Sequence, residues 1–162
     1  MSQALATTHS SEVVASSRQQ DFVTFLVGAQ LFGIPVLKVR DILKPAKIAK
    51  IPLAPPEVRG SINLRGRIVT VIDVRVRLGM PERSDGKKDG HMAVTVENGP
   101  DLYTLLVDKI GDVISLSNDL YEDTPGTLDA RWREYAEGIY RLKDNLLVVL
   151  DVERLLDIKV KI

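Results

Sequence analysis

The chain has 162 residues, no cysteine, 44% hydrophobic residues, and 22 basic side chains balanced by 22 acidic ones. That length supports one domain or two small lobes sharing a core. Missing cysteine excludes a disulfide framework, a thiol nucleophile and a thiolate metal site, and fits a cytoplasmic address. No run reaches the roughly 20 apolar residues of a membrane-spanning helix, so any membrane connection is indirect.

Residues 1–20 lack the basic start and apolar run of a secretory signal and read as a flexible tail. A β-rich run at 22–27 is followed by Gly28-Ala29-Gln30, a hairpin signal, and a second strand at 31–35 that Pro35 must end, bulge or leave at an edge. Residues 36–43 fit strand or helical turn equally. The Lys- and Pro-rich stretch 44–56 disfavours regular structure and reads as a surface excursion. Strands follow at 61–64 and 67–72, joined by a turn at Arg65-Gly66, where glycine supplies the positive φ of a tight hairpin. The highly charged segment 80–90 is a mobile loop. Strands at 91–97, 102–107 and 113–116 come next, then a polar irregular stretch at 117–132. The chain closes with strands at 138–142 and 146–150, flanking Lys143-Asp144-Asn145, and a short helix at 152–156.

Two internal registers connect these elements. GSINLRGRIVTVIDVRVRLG at 60–79 lies over GIYRLKDNLLVVLDVERLLD at a constant separation of 78, which matches Gly60 with Gly138, Val71 with Val149 and Asp73 with Asp151. Upstream, FGIPVLKVRDIL at 32–43 lies over YTLLVDKIGDVI at a separation of 71, matching Asp41 with Asp112. The chain reads as two related halves, each with about five short strands and the turn spacing of a small barrel, packed about a pseudo-twofold axis. Charge divides between the halves: residues 21–79 carry 10 basic and 4 acidic side chains, residues 91–157 carry 6 and 14. Such a dipole suits a protein that meets partners with two different faces.

Catalytic signals are absent. The two histidines, His9 and His91, cannot assemble a triad or a histidine-rich metal site. Gly86-Lys87-Lys88 lacks the glycine spacing of a phosphate loop, and Asp119, Glu122, Asp123 and Asp129 match no calcium loop. We therefore expect neither an enzyme nor a bound cofactor. A small basic barrel that binds nucleic acid is the alternative. Against it, the aromatics of the basic half, Phe22, Phe25 and Phe32, sit on apolar strands suited to a core, where they cannot stack bases, and the acidic half repels phosphate.

The stretch 60–79 resembles the signature of the CheW family of bacterial chemotaxis coupling proteins: a glycine, Asn-Leu-Arg-Gly, an apolar strand, Asp-Leu-Arg and a closing Leu-Gly. The resemblance extends from Asp21 to Asp157 through Ile34-Pro35, Lys38-Val39-Arg40-Asp41-Ile42, the proline stretch, Leu106-Val107-Asp108 and the last strand with Asp151. Thr70 stands where proline is common, and Val74 where leucine is frequent. The resemblance implies an all-β fold of two SH3-like, five-stranded barrels from an internal duplication. The first spans about 21–79 and the second about 91–157, leaving 158–162 as a C-terminal tail.

It also implies a non-catalytic adaptor between the regulatory domain of the histidine kinase CheA and the cytoplasmic tips of chemoreceptors. Such a protein is cytoplasmic, recruited to membrane-associated receptor arrays and monomeric outside them. A kinase-borne version of the fold is disfavoured by Met1 and its tail. Carried onto this chain, the partner-binding positions are Val39, Asp41, Gly60, Asn63, Leu64, Arg65, Gly66, Val113 and Gly138, with Ile42 a further groove candidate. Asp41 is expected to meet Arg65. Gly60, Gly66 and Gly138 have an equally good reading as turns or close strand approaches, and Val39, Ile42, Leu64 and Val113 as core.

Overall fold

The computed structural model describes residues 18–45, 47–81, 92–124 and 128–158. Both histidines, residues 82–90 of the expected mobile loop with its Gly86-Lys87-Lys88 run, and residues 159–162 lie outside them. The first half supplies β1 (Gln19–Val27), β2 (Gln30–Pro35), β3 (Val39–Leu43), β4 (Val58–Leu64), β5 (Arg67–Asp73) and the short helix α1 (Val74–Arg77). The second supplies β6 (Met92–Asn98), β7 (Asp101–Val107), β8 (Lys109–Ser117), the two-residue β9 (Tyr121–Glu122), α2 (Ala130–Arg133), β10 (Ala136–Arg141), β11 (Leu146–Leu150) and α3 (Val152–Leu156). Pro35 ends β2, as its missing N–H requires. The ambiguous stretch 36–43 resolves into both readings, a 3-10 turn at Val36–Lys38 and then β3. Residues 1–17 of the expected tail lie outside the described residues, and its last two, Gln19 and Gln20, pair with Ser117 and Leu116 in β1 and β8.

The strands form a five-stranded sheet, β3-β6-β7-β5-β4, and a second of five strands plus the short β9, β8-β1-β2-β11-β10-β9. The boundaries expected from the sequence are therefore corrected: neither half closes on itself. Hairpin β1-β2 joins β8, β10 and β11 of the second half, while hairpin β6-β7 joins β3, β4 and β5 of the first. The exchange is made by two parallel pairings, Phe32 with Val148 and Tyr103 with Thr70, and two antiparallel ones, β1 with β8 and β3 with β6. At one crossover β2 stops at Pro35 and the 3-10 turn carries the chain out of one sheet and into the other as β3; at its twin, β7 passes into β8 across Asp108.

The duplication is visible in the registers themselves. Phe32 and Tyr103 are 71 apart and Thr70 and Val148 are 78 apart, so the two parallel pairings are the same pairing seen twice. Antiparallel pairs repeat likewise: Phe25 with Phe32 becomes Val96 with Tyr103, and Val23 with Val113 becomes Val94 with Ile42. Even the irregularities coincide, with β4 slipping between Val58 and Gly60 and β10 between Ala136 and Gly138. Bulges of this kind re-aim a strand and are built-in features.

The interior has three parts. A large core between the sheets joins Phe25, Phe32, Ile34 and Ile139 to Ile72, Val94, Leu105 and the apolar faces of α1 and α3. Each barrel also has its own small cluster: Ile62, Val69, Val71 and Ala93 in one, and their counterparts Tyr140, Leu147, Val149 and Phe22 in the other. In the second cluster the rings of Phe22 and Tyr140 meet edge-to-face with centroids 5.5 Å apart. Around both clusters the flanking apolar positions also match, Leu43, Leu64 and Leu102 in the first and Ile114, Leu142 and Leu31 in the second. Central strands thus bury both faces, which is why they read as continuous apolar runs without alternation. Burial of Phe22, Phe25 and Phe32 agrees with their reading as core.

The matched aspartates cap the matched helices. Asp73 accepts from the backbone N–H groups of Arg75 at 3.0 Å and Val76 at 3.4 Å, and Asp151 from that of Arg154 at 3.2 Å. Asp73 also pairs with Arg59 in a largely buried site, whereas Asp151 sits 3.6 Å from Arg154 near solvent. Arg77 ties the barrels together: its guanidinium donates to the carbonyls of Leu155, Arg154 and Asp157 and lies 4.7 Å from the Tyr135 ring centroid. We predict that Asp151→Ala lowers stability by about 1 kcal/mol, the worth of a helix cap. Asp73→Ala should cost about 2 to 3 kcal/mol, because Arg59 is left beside a buried vacancy. Urea denaturation of the two variants measures the difference, and equal losses would show that the Arg59 pair adds nothing.

Candidate functional site

Five of the candidate residues converge at one end of the five-stranded barrel. Asn63 and Leu64 end β4, Arg65 and Gly66 form the turn into β5, and Asp41 lies on β3. Arg65 has φ +52° and Gly66 φ +86°, so both central residues of this two-residue hairpin are left-handed, the pattern of a type I′ turn. Glycine adopts this freely, but for an arginine it costs about 1 kcal/mol. Two contacts hold it: the Gly66 N–H donates to Asn63 Oδ1 at 2.9 Å, and Arg65 Nη2 lies 3.2 Å from Asp41 Oδ2.

The second contact is the expected Asp41–Arg65 pair. Arg65 is 81% exposed and Asp41 only 24%, so solvent screens the interaction and it contributes roughly 0 to 1 kcal/mol. That is no more than the strain it offsets. Its effect is directional, since β3 and β4 are the two edges of the sheet and the pair bridges the seam where the barrel closes. A groove of about 370 Å³ opens beside it, lined by Arg40, Leu64, Arg67, Glu97 and the pair itself. Arg40 and Glu97 form a further ion pair across this groove. On the other side of Asn63 a second groove of about 460 Å³ is walled by Leu43, Lys44, Lys47 and Ile68, the last 74% exposed.

The remaining candidates do not join this cluster. Val39 is half-buried and packs on the large core. Val113 is 60% exposed on β8, an edge strand of the other sheet, at the position matching exposed Ile42 on edge strand β3. Gly60 and Gly138 are buried beside the two matched bulges. A Cβ at Gly60 would collide with the Ala49 carbonyl, and one at Gly138 with the Tyr121 hydroxyl and ring. Close approach accounts for both glycines, and Gly60 adds a positive φ of +150°.

Electrostatics separates the matched positions. Where Arg59 meets Asp73 in one barrel, the other places Glu137 near Asp151. Burial raises the Glu137 pKa, the Asp151 charge raises it further and Lys38 opposes them. Tyr121 Oη donates to the Glu137 carbonyl at 2.6 Å, and burial, reinforced by Glu137 and Asp123, pushes its pKa up to about 12. Among the described residues no group of acidic or histidine side chains is placed to hold a metal ion. The basic excess stays on the five-stranded barrel, which keeps nine of the first half's ten basic residues, all but Lys38.

Sequence reasoning missed the Arg40–Glu97 pair and the exposed Ile68. The pair joins β3 to β6, a pairing that crosses the expected boundary between halves, so reading each half separately hides it. Ile68 looks like core in an apolar strand, and only its partner Asn63, opposite it in the hairpin, signals an outward face. The three glycines give a graded test. Gly60→Ala and Gly138→Ala should each cost about 2 to 4 kcal/mol, because backbone or a packed ring must move. Gly66 faces open space, so Gly66→Ala pays only backbone strain, about 1 kcal/mol. Urea midpoints of the three variants check the order, and a Gly66→Ala loss as large as the others would refute this description of the turn.

Comparison with known proteins agrees with this geometry. A family model described as a CheW-like domain matches residues 21–160. The chain is 30% identical over 151 residues to the chemotaxis protein CheW of Treponema pallidum, covering 91% of this chain and 88% of that protein. It is 28% identical over 141 residues to the chemotaxis protein CheW of Bacillus subtilis, with coverage of 85% and 87%. A crystal structure of the scaffolding protein TtCheW from Thermoanaerobacter tengcongensis superposes with a TM-score of 0.77 at 30% identity, covering 88% of this chain and 95% of that one. With its sequence matched from Asp21 to beyond the last helix and its two sheets shared with a solved relative, the chain belongs to the CheW-like family.

Proposed function

We propose that this chain is a non-catalytic chemotaxis adaptor that couples the cytoplasmic tips of chemoreceptors to the regulatory domain of the histidine kinase CheA, so that receptor state controls kinase activity. Family membership supports the adaptor role. The observation that carries the finer reading is Arg65, an exposed arginine kept in a strained left-handed turn where its own salt bridge only offsets the strain. Strain held at a surface residue points to use by a partner. Its counterpart in the second half is Lys143, and Gly66 is matched by Asp144, so this turn has no twin.

An adaptor needs no chemistry of its own. Bound to both partners, it transmits signal when the receptor's states differ in the kinase geometry they favour through it. Two barrels of opposite charge character offer two distinct faces for this task. Among the described residues, no helix is long and apolar enough to cross a membrane, in keeping with recruitment through receptors. The nucleic-acid reading draws no support from the structure, since Phe22, Phe25 and Phe32 are all buried and give no stacking platform.

Arg65→Gly separates binding from folding. Glycine relieves the left-handed strain, so this variant should melt no more than slightly below wild type. Calorimetric titration of wild type and variant against a purified CheA regulatory domain and a soluble receptor-tip fragment should show wild-type binding to both, with at least one interaction weakened about tenfold or more in the variant. Folded wild-type protein that binds neither partner, yet binds an oligonucleotide with steep salt dependence, would overturn the proposal.

A further inference from the structure

Two pieces of the sequence resemblance, Asp73-Val74-Arg75 and Leu106-Val107-Asp108, are far apart in the chain and meet at one of the crossovers between the barrels. Asp108 sits where the chain leaves β7 of the five-stranded sheet and enters β8 of the other. Its Oδ2 accepts from Arg75 Nη2 and, at 2.7 Å, from the backbone N–H of Gly28 in the β1-β2 turn. Its own backbone N–H donates to the Leu26 carbonyl at 3.0 Å, and Arg75 Nη1 donates to the Pro81 carbonyl at 2.7 Å. One carboxylate thus joins the helix that follows β5 to a turn of the opposite sheet. Arg75 and Asp108 are 14% and 17% exposed, so solvent screens their attraction far less than that of Arg65 and Asp41.

The internal symmetry supplies a control within the molecule. The residue matching Asp108 is Leu37, in the Val36–Lys38 crossover from β2 to β3, and Glu153 matches Arg75. Gly99 matches Gly28 and keeps its conformation, with φ +62° against +63°. The turn survives at the second crossover, but the charges that could latch it do not: Leu37 is 89% exposed, and Glu153 forms no ion pair among the described residues. One crossover is tied and its twin is open.

We propose that Arg75 and Asp108 are positioning residues, a one-sided latch that fixes the angle between the two barrels and with it the placement of edge strands β3 and β8, which carry Asp41 and Val113. The apolar core and the Arg77 hydrogen bonds to the α3 carbonyls hold the barrels together at the helices, and the Arg75–Asp108 pair, anchored to two backbones at the crossover, adds a second directional tie away from them. The consequence for partner binding rests on the adaptor reading; the orientation itself does not.

The test uses the absence of native cysteine. Spin labels at Asp101→Cys, on the five-stranded barrel, and Lys143→Cys, on the other, report the inter-barrel distance distribution by pulsed electron resonance without any partner. Asp108→Asn keeps an acceptor for Gly28 and loses the charge, Asp108→Ala loses both, and Glu153→Ala is the symmetry control. The distribution should shift or broaden in Asp108→Asn and more so in Asp108→Ala, and stay at the wild-type form in Glu153→Ala. If Asp108→Ala does not fold, Asp108→Asn decides alone. Wild-type distributions in the folded Asp108 variants, with only a lower melting temperature, would overturn the latch. A calorimetric titration of Asp108→Asn against the CheA regulatory domain and the receptor-tip fragment then tests positioning: altered distances with unchanged affinity for both would overturn the link to partners. Failure of wild type to bind either partner would overturn the adaptor reading and leave the distance result standing.

Discussion

The parallel pairing of β2 with β11, repeated by β7 with β5, is the constraint on which the rest of this structure depends. Each repeat gives up its first hairpin and completes its barrel with the hairpin of the other. A parallel pair cannot be made by a tight turn; it needs a long crossover, and here the crossovers pass from sheet to sheet. The two barrels are therefore halves of one cooperative unit, and the largest apolar core lies between them. An exchange of this kind makes neither repeat self-sufficient, consistent with the difficulty a chain segment of this size has in burying enough surface alone.

Against so regular a background, departures from symmetry become informative. The barrels share registers, bulges, helix caps and interior positions, yet they differ at Arg65 and Lys143, Gly66 and Asp144, Arg59 and Glu137, and Asp108 and Leu37. Positions required for folding are kept in pairs: Gly60 with Gly138, each under a close approach, and Asp73 with Asp151, each capping a helix. Most unpaired features face outward or sit at a crossover; Arg59, beside the buried cap Asp73, is the exception. An architecture that must be symmetric to close, but must present different faces to different partners, has to place its specificity in such unmatched residues.

Much of the fold was legible in the sequence. The separations of 71 and 78 reappear as actual strand registers, and the turn at Arg65-Gly66 and the last strand at 146–150 fall where glycine and apolar patterning put them. The exchange was not legible, because self-similarity says that two segments share a shape and nothing about which segment pairs with which. Of the site, the Asp41–Arg65 contact was anticipated only through the family resemblance, since nothing in the local sequence links two residues 24 positions apart. A close approach at Gly60 and Gly138 was one of the readings the sequence offered, but not what approaches them, since Ala49 and Tyr121 come from the proline-rich excursion and the two-residue β9, which local sequence does not position. Ile68 and Ile62 look alike in an apolar run, but their different exposures are set by which face of the sheet closes over the barrel.

Separate expression of residues 1–81 and 92–162, followed by mixing, tests the exchanged architecture most directly. If each barrel borrows its hairpin from the other half, neither fragment alone should show a cooperative thermal transition or dispersed amide resonances. The equimolar mixture should recover both, with the single tryptophan, Trp132, packed edge-on against Phe32 of the other fragment and reporting the association. A cooperative, dispersed fold in either fragment by itself would show that a repeat can close alone and would contradict the account.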